Sequence, residues 1–203
     1  MIEIKKDHWW PTPIWFFDLN PTTIDFEKVK DEIYRVRSVD KGRKISNYGG
    51  WQSNDLDLSQ DTEMNKLMKN IEEAASYCFD DVGARPSANR KITDYWININ
   101  KKGDSNIPHV HALSTFSGVV YIECEEDSGN ILFHNNAAEN YYYLELTHSK
   151  DKDKNNPYQF SHVFYSCIKY RVLIFPSILL HSVEPNKSDK DRISLAFNFA
   201  KNW

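Results

Sequence analysis

From residue 92 onward the chain is written in short stretches of alternating side chains, and this pattern restricts its fold more than any other feature. Ile92–Asn100, Phe116–Ile122, Val172–Phe175 and Arg192–Phe199 each alternate, and Asn130–Phe133 reads as a further short strand. Successive side chains of a strand leave on opposite faces, so such segments form half-buried strands and not helices. Turn sequences separate them: Lys102-Gly103-Asp104, Asp127-Ser128-Gly129-Asn130, and Pro185-Asn186 with the polar residues behind it.

The first half differs. Trp9-Trp10-Pro11 to Phe17 contains two prolines, Pro11 and Pro13, which exclude a helix interior and leave an extended segment. Asn20-Pro21-Thr22-Thr23 marks a helix start, with Ile24 to Val36 as the helix. Asp61 to Phe79 has helical spacing at Met64, Leu67, Met68, Ile71, Ala75 and Cys78, a stripe read as core, and Gly83-Ala84-Arg85-Pro86 ends it. Residues 41–57 are rich in Gly, Asn, Ser and Asp and read as a loop, and Asp151 to Pro157 reads as a solvated hairpin tip. Two helices followed by many short strands predict a mainly β sandwich or barrel, with the helices packed on one face. One domain over residues 1–203 is expected, with residues 1–90 as extended segment and helical support and 91–203 as the β core.

The balance of 25 Lys+Arg against 29 Asp+Glu, net −4, argues against a nucleic-acid binder, which is usually basic. The three cysteines, Cys78, Cys124 and Cys167, lack metal-type spacing and read as reduced thiols of a cytoplasmic protein. The N-terminus lacks a signal-peptide run, and no apolar stretch is long enough to span a bilayer.

Three sets of residues carry chemistry. His109 and His111 stand at i and i+2, a spacing that puts both on one face of an extended strand. His181 ends an apolar strand capped by Pro176, and with the first pair it completes a face of three nitrogens that leaves positions open on one metal ion. On the last strand Arg192, Ser194, Ala196 and Asn198 share a face; one Arg followed by small neutral groups suits a lined cavity, where the guanidinium and a neighbouring hydroxyl match a carboxylate. Asn98 and Asn100, poor strand formers placed two apart, fit either a polar cavity or a solvated sheet edge. His8, His134, His148 and His162 have no partner pattern and read as structural or exposed.

These residues resemble the Fe(II)/2-oxoglutarate-dependent dioxygenase superfamily, most of all its prolyl-hydroxylase-like branch and the 2OG-Fe(II) oxygenase relatives of that branch. The resemblance rests on Trp96–Asn100 leading to Gly103 with His109 six residues on, and on Ser117-Gly118 to Ile122. It continues in Gly129 to Phe133, in Val172 to Pro176, in His181-Ser182-Val183-Glu184-Pro185-Asn186 and in Arg192-Ile193-Ser194, and so covers residues 92–199. It implies a double-stranded β-helix (jelly roll), with Fe(II) as metal, 2-oxoglutarate as cosubstrate and O2 as oxidant. His109 and His181 would be iron ligands. Arg192, helped by Ser194, would hold the far carboxylate of 2-oxoglutarate, Asn100 stands where the family often has a Tyr on that carboxylate, and Asn98 and Tyr121 are lining residues. His111 stands where the family usually has Asp or Glu, and is the third ligand of a His-x-His variant. The implied reaction is hydroxylation of a C–H bond in a small-molecule or peptidyl substrate, with release of succinate and CO2. The loops at 41–57 and 134–160, including Tyr48, Trp51 and Tyr141 to Tyr143, are candidates for substrate contacts or a lid. Two other readings stay open: a three-His dioxygenase that uses no 2-oxoglutarate, against which Arg192 speaks, and a non-enzymatic jelly-roll binding module. A homo-oligomer is compatible with all three.

Overall fold

The structure is a computed structural model that describes residues 11–135 and 160–200; Trp9, Trp10, the tyrosines at 141–143 and the turn expected at 151–157 lie outside the described residues. Helix α1 spans Phe26–Val39 and starts later than the Asn20 signal suggests. Asn20 Oδ1 accepts from the Thr22 N–H and hydroxyl, closing a local turn, while Asp25 accepts from the Lys28 N–H at 3.1 Å and is the true cap. Helix α2, Glu63–Asp81, starts on Thr62, whose hydroxyl accepts from the Asn65 N–H. The Glu32 carboxylate of α1 accepts from the Glu63 and Met64 N–H groups, both at 2.9 Å, and so docks α1 on the positive end of α2. Gly83, at φ +69°, ends α2 with bonds from its own N–H to Asp80 O and from the Ala84 N–H to Phe79 O.

Among the described residues eleven strands form two sheets. One sheet has the order β1 (Trp15–Asp18), β9 (Arg171–Pro176), β6 (Ser114–Glu123), β11 (Arg192–Ala200), β4 (Ile92–Asn100), β3 (Trp51–Gln52). The other has β2 (Asn47–Tyr48), β5 (Ser105–His109), β10 (His181–Val183), β7 (Asn130–His134), β8 (His162–Ser166). Among the described residues every pairing is antiparallel. The expected loop at 41–57 is corrected in part, because it contributes β2 to one sheet and β3 to the other. Gly49 and Gly50, at φ +71° and +61°, turn the chain between them. Strands of two residues leave no periodicity to read.

The larger sheet separates two environments. The Met64, Leu67, Met68, Ile71, Ala75 and Cys78 stripe is core as expected, packed on the outer sheet face with Ile97, Val120, Ile122, Leu195, Phe197 and Phe199. Each fully buried Leu, Ile or Met there contributes about 1.5–3 kcal/mol. The inner face lies against the smaller sheet, where Val119, Tyr121, Ile131, Phe133, Leu173 and Phe175 fill part of the sandwich. The rest of that inner face is polar and makes the site. The architecture is a double-stranded β-helix with its helices on one face. Among the described residues no helix is long and apolar enough to cross a membrane.

Candidate metal centre

His109, His111 and His181 come together, with one ring nitrogen from each lying within 4.8 Å of the others. Antiparallel pairing of β5 and β10 sets His109 and His181 directly opposite each other, with ring centroids 4.3 Å apart. The expected origin of this cluster needs two corrections. His111 does not share a strand with His109, because β5 ends at His109. Its N–H donates to Ser177 O at 2.9 Å, and Leu113, at φ +71°, turns the chain into β6. The His111 ring still stacks near His109, at 5.3 Å and 23°. His181 does not end the apolar strand either. Strand β9 stops at Pro176, a turn bonded from the Leu179 N–H to Pro176 O follows, and His181 opens β10 in the other sheet.

Hydrogen bonds decide which nitrogens are available. His109 Nδ1 lies 2.7 Å from Ile107 O, and His181 Nδ1 lies 2.9 Å from Leu179 O. A carbonyl oxygen only accepts, so both Nδ1 atoms carry the proton and both Nε2 atoms keep a lone pair. His111 Nδ1 lies 2.7 Å from Asn198 Oδ1. Burial pushes the pKa of all three below the usual value, with His181 lowered to about 3 by desolvation and by His109. Three neutral imidazoles are therefore the resting state, and that donor set suits Fe(II) among other divalent ions while leaving coordination positions open.

Arg192 lines the same cavity. It is 1% exposed, and its Nη1 donates to Ser128 O at 2.5 Å and to Glu184 O at 3.0 Å. Its Nη2 is buried with no hydrogen-bond partner, and among the described residues no carboxylate pairs with it. A buried guanidinium held this way is costly unless a counter-charge arrives. Register places its neighbours: Arg192 lies opposite Asn100, and Ser194 lies between Asn98 and Tyr121. Asn100 and Asn98 are 3% and 9% exposed on an interior strand, so the solvated-edge reading of these two residues is excluded. All eight expected site residues line a single cavity of about 60 Å³.

The structure adds residues that the sequence did not mark as site. Asn198 Oδ1 also accepts from the Ser117 hydroxyl, Ser117 bonds Ser177, and Asn198 Nδ2 donates to Asp94 Oδ2 at 2.6 Å. Trp96 lies 5.5 Å from the His111 ring, and Arg43 sits over Trp96. Asn198 was visible on the Arg192 face by parity; its partners were not. Cys124 and Cys167 are also neighbours, with the Cys124 thiol held below its usual pKa by a hydrogen bond with Cys167.

The model of the family described as "Putative 2OG-Fe(II) oxygenase" matches residues 94–198, half of the chain, and the chain belongs to that family. Fe(II) and 2-oxoglutarate are the cofactor and cosubstrate of that family, and three neutral imidazoles and an orphaned Nη2 lining one cavity fit both. No curated protein matches. Among solved structures, a Pseudomonas putida prolyl-4-hydroxylase is similar at TM-score 0.63 and 12% identity, covering 94% of this chain and 93% of that one. A Trichoplax adhaerens prolyl hydroxylase in complex with a hypoxia-inducible-factor peptide fragment is similar at TM-score 0.64 and 13% identity, covering 93% and 83%. HygX from Streptomyces hygroscopicus, with nickel and 2-oxoglutarate bound, is similar at TM-score 0.60 and 9% identity, covering 95% and 84%. These likenesses are of fold.

Proposed function

We propose that this protein is an oxygenase that hydroxylates a C–H bond of a small-molecule or peptidyl substrate, consuming 2-oxoglutarate and O2 and releasing succinate and CO2. One observation carries the reading: a neutral three-nitrogen face and a buried guanidinium with a spare donor line the same cavity. When bound, Fe(II) supplies the oxygen activation that couples oxidative decarboxylation of 2-oxoglutarate to hydroxylation.

The residues of the chain bind, orient and shield. His109, His111 and His181 would hold the metal through Nε2, each steadied by the bond at its Nδ1. Three neutral ligands leave both charges of the metal unbalanced, so the site favours a dianionic cosubstrate more than a carboxylate-containing triad would. Arg192 would take the far carboxylate on Nη2 while Ser128 O and Glu184 O fix its plane. Ser194, Asn98, Asn100 and Tyr121 would complete the polar wall around that carboxylate. Tyr121 is held firmly as the neutral phenol by burial, so it can only donate or accept a hydrogen bond. The peptide in one structural relative supports a peptidyl substrate as one candidate class. We further infer a reducing, cytoplasmic setting, in keeping with three cysteines present as thiols.

The test is anaerobic titration with Fe(II) and 2-oxoglutarate, followed by aerobic turnover of 2-oxoglutarate to succinate. A visible metal-to-ligand charge-transfer band in wild type, lost in His181→Ala, is expected. Absence of both the band and succinate formation in wild type would sink the reading.

A further inference from the structure

We propose that Asn198 is a positioning residue of the metal centre: oriented by Asp94, its amide oxygen locks His111 in the tautomer that leaves Nε2 free for the metal. This rests on the reading of the three histidines as ligands. The need arises from His111 itself. A carboxylate has no tautomer to set, whereas an imidazole binds a metal through Nε2 only if the proton sits on Nδ1. His109 and His181 settle this locally, because each bonds the carbonyl two residues before it, Ile107 O and Leu179 O. His111 has no such carbonyl and relies on a side chain, Asn198, whose amide has both an acceptor end and a donor end.

Asp94 removes that ambiguity. Its Oδ1 accepts from the Thr93 hydroxyl at 2.8 Å, and its Oδ2 stands 2.6 Å from the Asn198 amide nitrogen. A carboxylate can only accept, so the NH2 end of Asn198 must face Asp94 and the oxygen end must face His111. Reversal would set the amide oxygen against the carboxylate and lose a charge-assisted bond, which disfavours that orientation by about 10- to 100-fold. The Ser117 hydroxyl, donating to the same oxygen at 2.8 Å, reinforces the choice. Sheet register builds this relay: Asp94, Asn198 and Ser117 are cross-strand partners on β4, β11 and β6, abreast beneath the histidine. His111 Nδ1–H therefore has one fixed acceptor, and the proton is excluded from Nε2.

The test reads the histidine tautomers in the metal-free protein by long-range 1H–15N NMR, beside Co(II) affinity by calorimetry. Wild type is expected to show His111 protonated at Nδ1 alone. Asp94→Asn lets Asn198 turn over, so His111 shows mixed tautomers while His109 and His181 keep theirs, and Co(II) binds about 10- to 100-fold more weakly. The exchanged pair, Asp94→Asn with Asn198→Asp, restores a fixed acceptor and recovers both readouts, which a merely structural role would not produce. An unchanged His111 spectrum in Asp94→Asn, or a double variant no better than the single one, would overturn the proposal. Wild type that shows the expected tautomers but binds no Co(II) and no Fe(II) would instead overturn the metal-centre reading, with the tautomer relay standing.

Discussion

Arg192→Met removes the guanidinium while keeping most of the apolar stem. In the structure Nη2 is the one buried Arg192 donor without a partner, so one charge-assisted hydrogen bond to a ligand carboxylate is the contact at stake. Such a bond is worth about 1.5–3 kcal/mol, or roughly 10- to 150-fold in affinity. Stability changes separately, because Ser128 O and Glu184 O lose their donor while a costly buried cation disappears. The assay is anaerobic calorimetry on metal-loaded protein with two ligands, 2-oxoglutarate and 2-oxopentanoate, which has a methyl group in place of the far carboxylate. Wild type should prefer 2-oxoglutarate by about the factor above, and Arg192→Met should bind both alike, at wild-type affinity for 2-oxopentanoate. If the variant kept the preference, or lost both ligands equally, the assignment of Arg192 to the far carboxylate would be wrong.

Two further outcomes follow from the same geometry. His181 has its pKa lowered from 6.5 to about 3 in the folded metal-free protein, so between those values the unfolded chain binds the extra proton. Stability is then full above pH 6.5 and falls with decreasing pH toward 3, by about 1.4 kcal/mol per unit from His181. Urea unfolding at pH 7.5 and 5 should show wild type losing about 2 kcal/mol more than His181→Gln; parallel profiles would disprove it. Gly129→Ala should lower both stability, by about 1–3 kcal/mol, and 2-oxoglutarate affinity. Gly129 sits at φ +83°, and an added Cβ would lie 2.8 Å from Glu184 O and Pro185 O and 3.0 Å from Arg192 Nη1. A normal melting temperature and a normal titration together would refute that reasoning.

Much of the site was legible residue by residue. Alternation along Arg192–Phe199 gave the face that carries Arg192, Ser194, Ala196 and Asn198, and the stripe from Met64 to Cys78 gave the buried side of α2. Local signals failed where elements were short or partners distant. Strands β2 and β3 have two residues each, too few for a period. His111 and Asn198 are 87 positions apart, and Asp94 and Asn198 are 104 apart, so neither bond leaves a mark in the sequence around it.

The sequence by itself determined which side chains share a face and which donor types are present, because side-chain parity along a strand follows from backbone geometry alone. The tertiary structure decided the register that sets His109 opposite His181, and it moved His111 off the strand while keeping its ring at the cluster. It also decided the tautomers and left one guanidinium nitrogen of Arg192 waiting for an acceptor. Register is fixed by the packing of whole faces and not by neighbours in the chain. The acceptors for His109 and His181 lie two residues away in the chain, whereas the acceptor that sets the His111 tautomer comes from a distant strand, so only the fold supplies it.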